Sequence, residues 1–319
     1  MMQHYPWGHP RRFNSYTEHM KARFGGRVQK ISVDAGFTCP NRDGTISVGG
    51  CTYCSNEAFT PSYCQPDNPI LQQVSDGIAF HAHRYRRASW FMVYFQAYTN
   101  SYGDVEVIKA LYEEALSHPK VIGLVIGTRP DCMPDELLEY LSQLNKTHPI
   151  IIEYGIESVY EETLLRVNRG HTFKQGKETL HKTAESGIAC GAHFIFGLPG
   201  ESRRQMLEAS RTISGLPLTF IKFHQLQLIR GTAMAEAYVS NPSAFYLFDF
   251  DSYVDFIIDF TERLNPAIVI ERFAAEVPPR FLNTALWNNL RYDQILRIIE
   301  LRMEERNSWQ GNFFYTDNE

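Results

Sequence analysis

The feature that most constrains the fold is a regular alternation of short β-rich runs with amphipathic helical segments. Six runs are rich in β-branched and aromatic residues and end at turn-forming residues. They span residues 28–34, 90–96, 121–127, 149–156, 191–197 and 220–227. Strands that alternate with helices about every 30 residues are typical of parallel βα units with right-handed crossovers. Because six units are too few for a closed eight-stranded barrel, the sequence predicts an α/β fold with a partial (β/α)6 barrel of the TIM type.

The pattern changes beyond about residue 230. A helix is predicted from Phe250 to Leu264, a strand over 267–273 and a further helix near 291–305. We therefore predict three parts of the chain, which are an N-terminal segment of residues 1–27, the barrel of residues 28–230 and a C-terminal α/β extension of residues 231–319 that packs on the barrel.

Composition is that of a globular protein, with 44% hydrophobic and 21% charged residues among 319. No apolar run reaches the roughly 20 residues that span a bilayer, and the first residues lack the apolar core of a signal peptide. We therefore expect a cytoplasmic protein with no membrane partner. The formal net charge of −5 argues against general electrostatic binding of nucleic acid. A local basic stretch at Arg84, Arg86 and Arg87 is either a binding patch or a solvated helix end.

Three cysteines in the long loop after the first predicted strand give the strongest chemical signal. Cys39, Cys51 and Cys54 have the spacing C-x11-C-x2-C. In the cytosol, closely spaced cysteines more often serve metal or redox chemistry than disulfides. Three thiolates would leave one iron of a cubane iron–sulfur cluster without a protein ligand. The spacing alone leaves two alternatives open, namely zinc with Cys64 or a histidine as fourth ligand and a buried structural role.

The other cysteines, Cys64, Cys132 and Cys190, are scattered along the chain. A second cluster would need more thiols in one neighbourhood, so we interpret these three as small buried hydrophobic residues. Cys132 follows the third predicted strand and is the one to test for a redox or substrate role.

Seven short motifs resemble the radical S-adenosylmethionine (SAM) superfamily and, more narrowly, a bacterial group akin to the radical domain of the Elongator catalytic subunit. They are GFTCPNRDGT, GGCTYC, FQAYTNSY, GTRPDC, EYGIES, NRGHT and HFIFGLPGE. They fall at the ends of successive predicted strands, and the resemblance extends from about residue 13 to residue 300. The usual spacing in the superfamily is C-x3-C-x2-C; the wider spacing here departs from it and matches the narrower group.

The resemblance implies a [4Fe–4S] cluster held by Cys39, Cys51 and Cys54, whose open iron binds SAM. An electron from a donor such as flavodoxin or ferredoxin would then cleave SAM to a 5′-deoxyadenosyl radical, which abstracts hydrogen from a substrate. Similarity to the Elongator subunit makes tRNA the candidate substrate, a hypothesis that the negative net charge weakens. The alternative is a non-catalytic metal- or cluster-binding protein that acts through partner binding.

The resemblance also implies which residues contact the methionine part of SAM. Gln96 and Thr99 follow the second predicted strand and offer acceptors for the amino group, unless they are an ordinary polar strand end. Arg169 can pair with the carboxylate through a bidentate fork, unless it forms a surface salt bridge. His224 and Gln225, on the sixth predicted strand, border the substrate cavity in this scheme, with a core histidine as the alternative for His224.

Four further residues are candidates for the nucleoside part of SAM. Glu157 and Ser158 end the fourth predicted strand, where a carboxylate or hydroxyl can bind the ribose. Tyr53 and Ile195 are candidates for packing on the adenine, and Tyr53 can equally shield the cluster. His171 is assigned no role, and no catalytic residue is assigned from the sequence.

Overall fold

Seven parallel strands form one curled sheet in the computed structural model, which describes residues 5–82, 88–283 and 287–314. Each strand pairs with the next one along the chain, in the order β1 to β7. The strands are β1 (Arg27–Val33), β2 (Ala88–Phe95), β3 (Val121–Thr128), β4 (Ile150–Glu157), β5 (Ala189–Phe196), β6 (Phe220–Gln225) and β7 (Val269–Arg272). Because all strands run the same way, their carboxyl ends meet at one edge of the sheet.

Helices connect and cover the strands of this sheet. They are α1 (Tyr16–Phe24), α2 (Ile70–Ala82), α3 (Val105–Leu116), α4 (Asp135–Leu144), α5 (Glu161–Arg166), α6 (Phe173–Glu185), α7 (Arg203–Ser214), α8 (Ala233–Ser240), α9 (Phe250–Thr261) and α10 (Tyr292–Glu305). Helix α6 begins with a reciprocal capping box between Thr172 and Gln175, and α7 with one between Ser202 and Gln205. Within the described ranges, no helix is both long enough and apolar enough to cross a membrane.

The partial barrel predicted from the sequence is confirmed, with one strand more than expected. All six predicted barrel strands form, and their ends agree with the prediction to within two residues. The strand predicted in the C-terminal extension is β7, and it pairs in parallel with β6 through Phe220 with Val269 and Ile221 with Ile270. Hydrophobic patterning finds a strand but does not say which sheet it joins. The division near residue 230 stays a prediction.

The two faces of the sheet have opposite characters. The outer face packs on the helices, and the rings of Phe196 and Phe256 lie 4.8 Å apart there. The inner face carries polar side chains at every second residue of several strands, as a pleated strand requires. These inward positions include Lys30 and Ser32, Tyr94 and Gln96, Glu153 and Gly155, His193 and Ile195, and Lys222 and His224. The stretch with Arg84, Arg86 and Arg87 lies outside the described residues.

Candidate active site

A cavity of about 1050 Å³ lies against the inner face of the sheet. Its volume is at the upper end of the range for small-molecule sites, roughly 300–1,000 Å³. Cys39, Cys51 and Cys54 all line this cavity, as do residues from β1, β2, β4, β5, β6 and β7. The structure therefore brings the three cysteines of the loop to the same space as the polar inner face of the sheet.

The cysteine loop, residues 36–56, is folded by short backbone turns. The amide of Arg42 donates to the carbonyl of Cys39 at 2.7 Å, and the amide of Cys54 donates to that of Cys51 at 3.0 Å. Gly50 has a φ of +84°, a left-handed conformation that glycine adopts without strain. Cys51 and Cys54 thus share one turn.

The segment that follows α5 anchors this loop. Asn41 is fully buried, and its Nδ2 donates to the carbonyl of Asn168 at 2.6 Å and to that of Arg169 at 3.0 Å. Asn168 returns a bond from its own Nδ2 to the carbonyl of Gly50 at 2.9 Å. The GFTCPNRDGT and NRGHT motifs are therefore two halves of one structural unit, although more than 100 residues separate them.

Two buried donors point at the sulfur of Cys51. Asn41 Nδ2 and Arg169 Nη1 each lie 3.6 Å from Cys51 Sγ. Such donors can bond to a sulfur that ligates a metal or cluster. Burial raises the pKa of the Cys54 thiol, and the neighbouring Cys51 adds to that rise. Such thiols become thiolates when a metal or cluster supplies the compensating charge.

The zinc alternative with Cys64 as the fourth ligand is not supported. Four sulfur ligands about 2.3 Å from one zinc ion would lie within about 4 Å of each other. Within the described ranges, no three His, Cys, Asp or Glu side chains are grouped around a single metal ion. Cys64, the suggested fourth ligand, does not line the cavity and donates to the carbonyl of Ser32 at 3.1 Å.

Arg169 sits among the groups that surround Cys51. Its Nη2 donates to the carbonyl of Gly155 at 2.5 Å and lies 3.8 Å from Glu157 Oε1. Its Nε is buried without a hydrogen-bond partner among the described residues. Each terminal nitrogen of the predicted fork therefore already makes one hydrogen bond within the protein, whereas Nε makes none among the described residues.

Five other predicted cofactor residues line the cavity, namely Tyr53, Gln96, Thr99, Glu157 and Ile195. Gln96 Oε1 accepts from the hydroxyl of Ser32 at 2.9 Å, so its amide group is held in one orientation. The hydroxyl of Tyr53 is buried and finds no partner in the described part of the chain. Glu157 adopts a φ of +71°, which is strained for this residue type, and burial raises the pKa of its carboxyl.

Ser158 is the predicted site residue that the structure does not bring to the cavity. Its hydroxyl donates to Glu201 Oε1 at 2.5 Å and accepts from the amide of Tyr160 at 3.0 Å. Ser158 is buried behind the end of β4, where it joins two loops. Glu157 therefore lines the cavity without Ser158 beside it.

The inner face also holds a buried charge cluster that was not predicted from the sequence. Glu153 accepts from Lys30 and from Lys222, both at 2.6 Å, and lies 3.1 Å from His193 Nε2. Glu271 pairs with the same two lysines at 2.6 and 3.2 Å. Burial by itself would raise the pKa of Glu153, but the two ammonium groups and the His193 bond hold it well below its usual value. The sequence pattern that could have predicted this cluster is the single charged residue at an inward position of several otherwise apolar strands.

The remaining cysteines and His171 have ordinary structural contacts. Burial raises the pKa of Cys64 and Cys132 to about 12 and that of Cys190 to about 11. None of the three lines the cavity. Burial and the neighbouring Arg169 lower the pKa of His171 to about 3, and its Nε2 lies 3.2 Å from the carbonyl of Gly155. His171 is therefore a neutral packing residue.

Replacing Gly170 by alanine is expected to loosen the cysteine loop. A Cβ at this position would lie 2.2 Å from Asn41 Oδ1, so Asn41 must move off the Cys51 sulfur. We expect a loss of about 1–3 kcal/mol in the free energy of unfolding beyond the backbone cost, and less bound iron. The matched control is Gly187→Ala, because Gly187 has a similar φ of +75° and open space around it. Equal losses in both variants would contradict the role assigned to Asn41.

Comparisons with known proteins agree with this geometry. A family model described as the radical SAM superfamily matches residues 39–213, and one for the radical SAM C-terminal domain matches residues 218–305. The chain belongs to the radical SAM superfamily, whose members are generally enzymes.

Among its relatives, YtqA of Bacillus subtilis strain 168 is 34% identical over 317 residues, which are 98% of this chain and 97% of YtqA. A tRNA uridine(34) acetyltransferase of Dehalococcoides mccartyi is 24% identical over 211 residues, 64% of this chain and 43% of that protein. The solved structure of Elp3 from the archaeon Methanocaldococcus infernus has the same fold, with a TM-score of 0.68, 14% identity and coverage of 89% of this chain and 64% of that one.

Proposed function

We propose that this protein is an enzyme that cleaves SAM reductively at a [4Fe–4S] cluster held by Cys39, Cys51 and Cys54. The observation that carries the proposal is that all three cysteines line one cavity, with Arg169 and Asn41 directed at the Cys51 sulfur. Three thiolates with cationic support are a suitable donor set for a cluster with one iron left open. The substrate would bind in the part of the same cavity that the cofactors leave free.

The residues around the cysteines also suit SAM. When bound, the reduced cluster supplies the electron that breaks the sulfonium C–S bond, giving methionine and a 5′-deoxyadenosyl radical. The side chains of Gln96 and Thr99 would hold the amino group, and Arg169 Nε, buried and unpartnered, would donate to the carboxylate. These contacts would fix the orientation of the methionine part.

The nucleoside part of SAM would contact three other cavity residues. Glu157 would bind the ribose hydroxyls, while Tyr53 and Ile195 would pack on the adenine. Tyr53 and Ile195 belong to the same apolar cluster beside the cavity, which suits a flat ring. Ser158 is left out of this set because its hydroxyl is already bonded to Glu201.

The proposed substrate is tRNA, and the proposed electron donor is flavodoxin or ferredoxin. The relative named as a tRNA uridine(34) acetyltransferase supports tRNA, although the match covers less than half of that protein. A purely non-catalytic role is not favoured, because the cavity extends well beyond the cysteines and contains unpartnered polar atoms.

The test is anaerobic reconstitution of the cluster, followed by reduction with dithionite in the presence of SAM. We expect 5′-deoxyadenosine and methionine to form in equal amounts, measured by liquid chromatography and mass spectrometry. A matched sample without dithionite should form neither. If protein loaded with about four irons per chain yields no 5′-deoxyadenosine after reduction, the proposal is wrong.

A further inference from the structure

The cavity is positively charged although the chain as a whole is acidic. Its described lining includes eight Lys and Arg residues but only four Glu and no Asp, a surplus of four positive charges. The whole chain has a net charge of −5. A cavity with one sign of charge and low-dielectric walls concentrates ligands of the opposite sign.

Most of the cavity cations already have partners in the protein. Lys30 and Lys222 pair with Glu153 and Glu271. Arg129 forms a bidentate pair with Asp131, at 3.0 and 2.8 Å. The two lysines are offset by these two glutamates of the lining, and Arg129 is offset by Asp131, which lies outside the lining.

The cations nearest the cysteines belong to the cysteine site. Arg169 contacts the Cys51 sulfur and Glu157. Arg42 donates to the carbonyl of Cys54 and lies over the ring of Tyr98. Their positive charge is matched by thiolates when a cluster is bound.

Arg272 differs from these residues. It ends β7, is half-buried and lines the cavity. Its guanidinium lies over the ring of Tyr292 at 5.9 Å, and none of the described side chains or carbonyls accepts a hydrogen bond from it. The neighbouring carboxylates are engaged elsewhere, since Glu271 pairs with the two lysines and Glu276 accepts from the amide of Tyr292. An arginine held by an aromatic ring keeps its fork of donors available.

His224 lies on the adjacent strand β6, and its ring is 5.5 Å from the ring of His193. Its Nε2 is buried and has no partner within the described residues, and its side chain lines the same cavity. Burial, together with the charge of nearby His193 and Arg272, holds the pKa of His224 well below its usual value, so the ring is neutral. In the tautomer protonated at Nε2, the neutral imidazole presents an N–H donor to the cavity, and a buried donor without a partner is costly unless a ligand satisfies it.

We propose that Arg272 and His224 form a subsite for a phosphate group of a nucleotide substrate. The proposal rests on the proposed function and specifies the chemistry of its substrate. A guanidinium fork and an imidazole N–H are suitable donors for phosphate oxygens. The phosphate can belong to an RNA backbone or to a free nucleotide. The position on β6 and β7 is separate from the residues that hold the cysteine loop, which come from the segment after α5.

The test measures binding of fluorescein-labelled total bacterial tRNA to the reconstituted holoprotein with SAM, by fluorescence anisotropy between 50 and 200 mM salt. Uridine 5′-monophosphate and inorganic phosphate serve as competitors. The variants are Arg272→Gln, Arg272→Lys and His224→Asn. The matched control is Arg297→Gln, which removes an exposed arginine of α10 outside the cavity. Iron content and melting temperature establish that each variant is folded and loaded.

Arg272→Gln is expected to weaken tRNA binding about tenfold and to reduce the salt slope by about one. His224→Asn should weaken binding less, Arg272→Lys should retain part of the affinity, and Arg297→Gln should bind like the wild type. If tRNA fails to bind but uridine 5′-monophosphate binds in an Arg272-dependent manner, the subsite is supported with a free nucleotide as its ligand.

Equal losses in Arg272→Gln and Arg297→Gln, or no loss in Arg272→Gln, would overturn the subsite. Holoprotein that forms 5′-deoxyadenosine but binds neither tRNA nor uridine 5′-monophosphate would also overturn it and would leave the proposed function intact. Conversely, the holoprotein can form no 5′-deoxyadenosine and still bind tRNA or uridine 5′-monophosphate in an Arg272-dependent manner. That result supports the subsite and contradicts only the proposed cleavage of SAM.

Discussion

Replacing Cys51 by alanine is expected to abolish both the visible absorption of the reconstituted cluster and the formation of 5′-deoxyadenosine. Cys51 is buried, and its sulfur accepts from Asn41 of the loop and from Arg169 of the segment after α5. Without this thiolate, two cysteines remain for a cluster that needs three, and no other thiol of the described chain lines the cavity. The measurements are the visible spectrum, iron per chain and product yield after reduction.

The control for this experiment is Cys190→Ala. Cys190 is as buried as Cys51, but its thiol donates to the carbonyl of Pro217 at 2.8 Å on the outer side of the sheet. We expect this variant to bind iron and to form 5′-deoxyadenosine like the wild type. If Cys51→Ala keeps its spectrum, or if Cys190→Ala loses it equally, the assignment of the cluster ligands would have to be abandoned.

Replacing Glu153 by glutamine is expected to reduce the free energy of unfolding by about 3–5 kcal/mol. Glutamine has nearly the same shape but leaves the ammonium groups of Lys30 and Lys222 facing each other with only Glu271 to compensate. A buried cation that loses its partner costs far more than the pair contributed, because its desolvation is no longer offset. Urea unfolding of the reconstituted protein, with iron content checked, measures the loss.

An exposed acid provides the matched control for this prediction. Glu178 lies on α6, is 65% exposed in its side chain and is 3.9 Å from Lys174. Glu178→Gln should change the free energy of unfolding by less than about 1 kcal/mol, as exposed ion pairs do. If Glu153→Gln also loses less than about 1 kcal/mol in the free energy of unfolding, the prediction is wrong, because water or rearrangement then compensates the charges of the two lysines.

The same cluster predicts a pH dependence. The folded protein holds the pKa of Glu153 well below its usual value, so the ionised carboxylate stabilises the fold at a pH above its unfolded pKa, about 4.3. This contribution is lost as the pH falls from there through the folded pKa. Glu153→Gln lacks the titrating group and should therefore show a shallower loss of stability in acid than the wild type.

Local patterns were sufficient for much of the fold. The alternation of strands and helices predicted the parallel sheet, because period-2 and period-3.6 hydrophobicity arise from the geometry of each element alone. The motifs also predicted the edge at which the site lies, since the carboxyl ends of parallel strands meet there. The expected cysteines, together with Tyr53, Gln96, Thr99, Glu157, Arg169 and Ile195, accordingly line one cavity.

Local patterns failed where a side chain's role depends on a distant partner. Ser158 follows Glu157 directly, yet the hydroxyl of Ser158 donates to Glu201, in the loop after β5, and not into the cavity. Local patterns likewise gave no sign that the carbonyl of Gly155 and the sulfur of Cys51 each accept a hydrogen bond from a terminal nitrogen of Arg169. The strand over 267–273 was placed outside the barrel, although β6 had a free edge for it.

The sequence by itself determined the kind of sheet and the edge that carries the site, because both follow from local spacing and residue type, and the family resemblance of its motifs predicted the three cysteines as cluster ligands. Only the tertiary structure decided which cations are neutralised and which are free. Lys30, Lys222 and Arg272 look alike in the sequence, but pairing across β1, β4, β6 and β7 gives carboxylate partners to the two lysines and, among the described residues, none to Arg272. Charge compensation depends on distances of a few ångströms between strands, and sequence separation does not specify them.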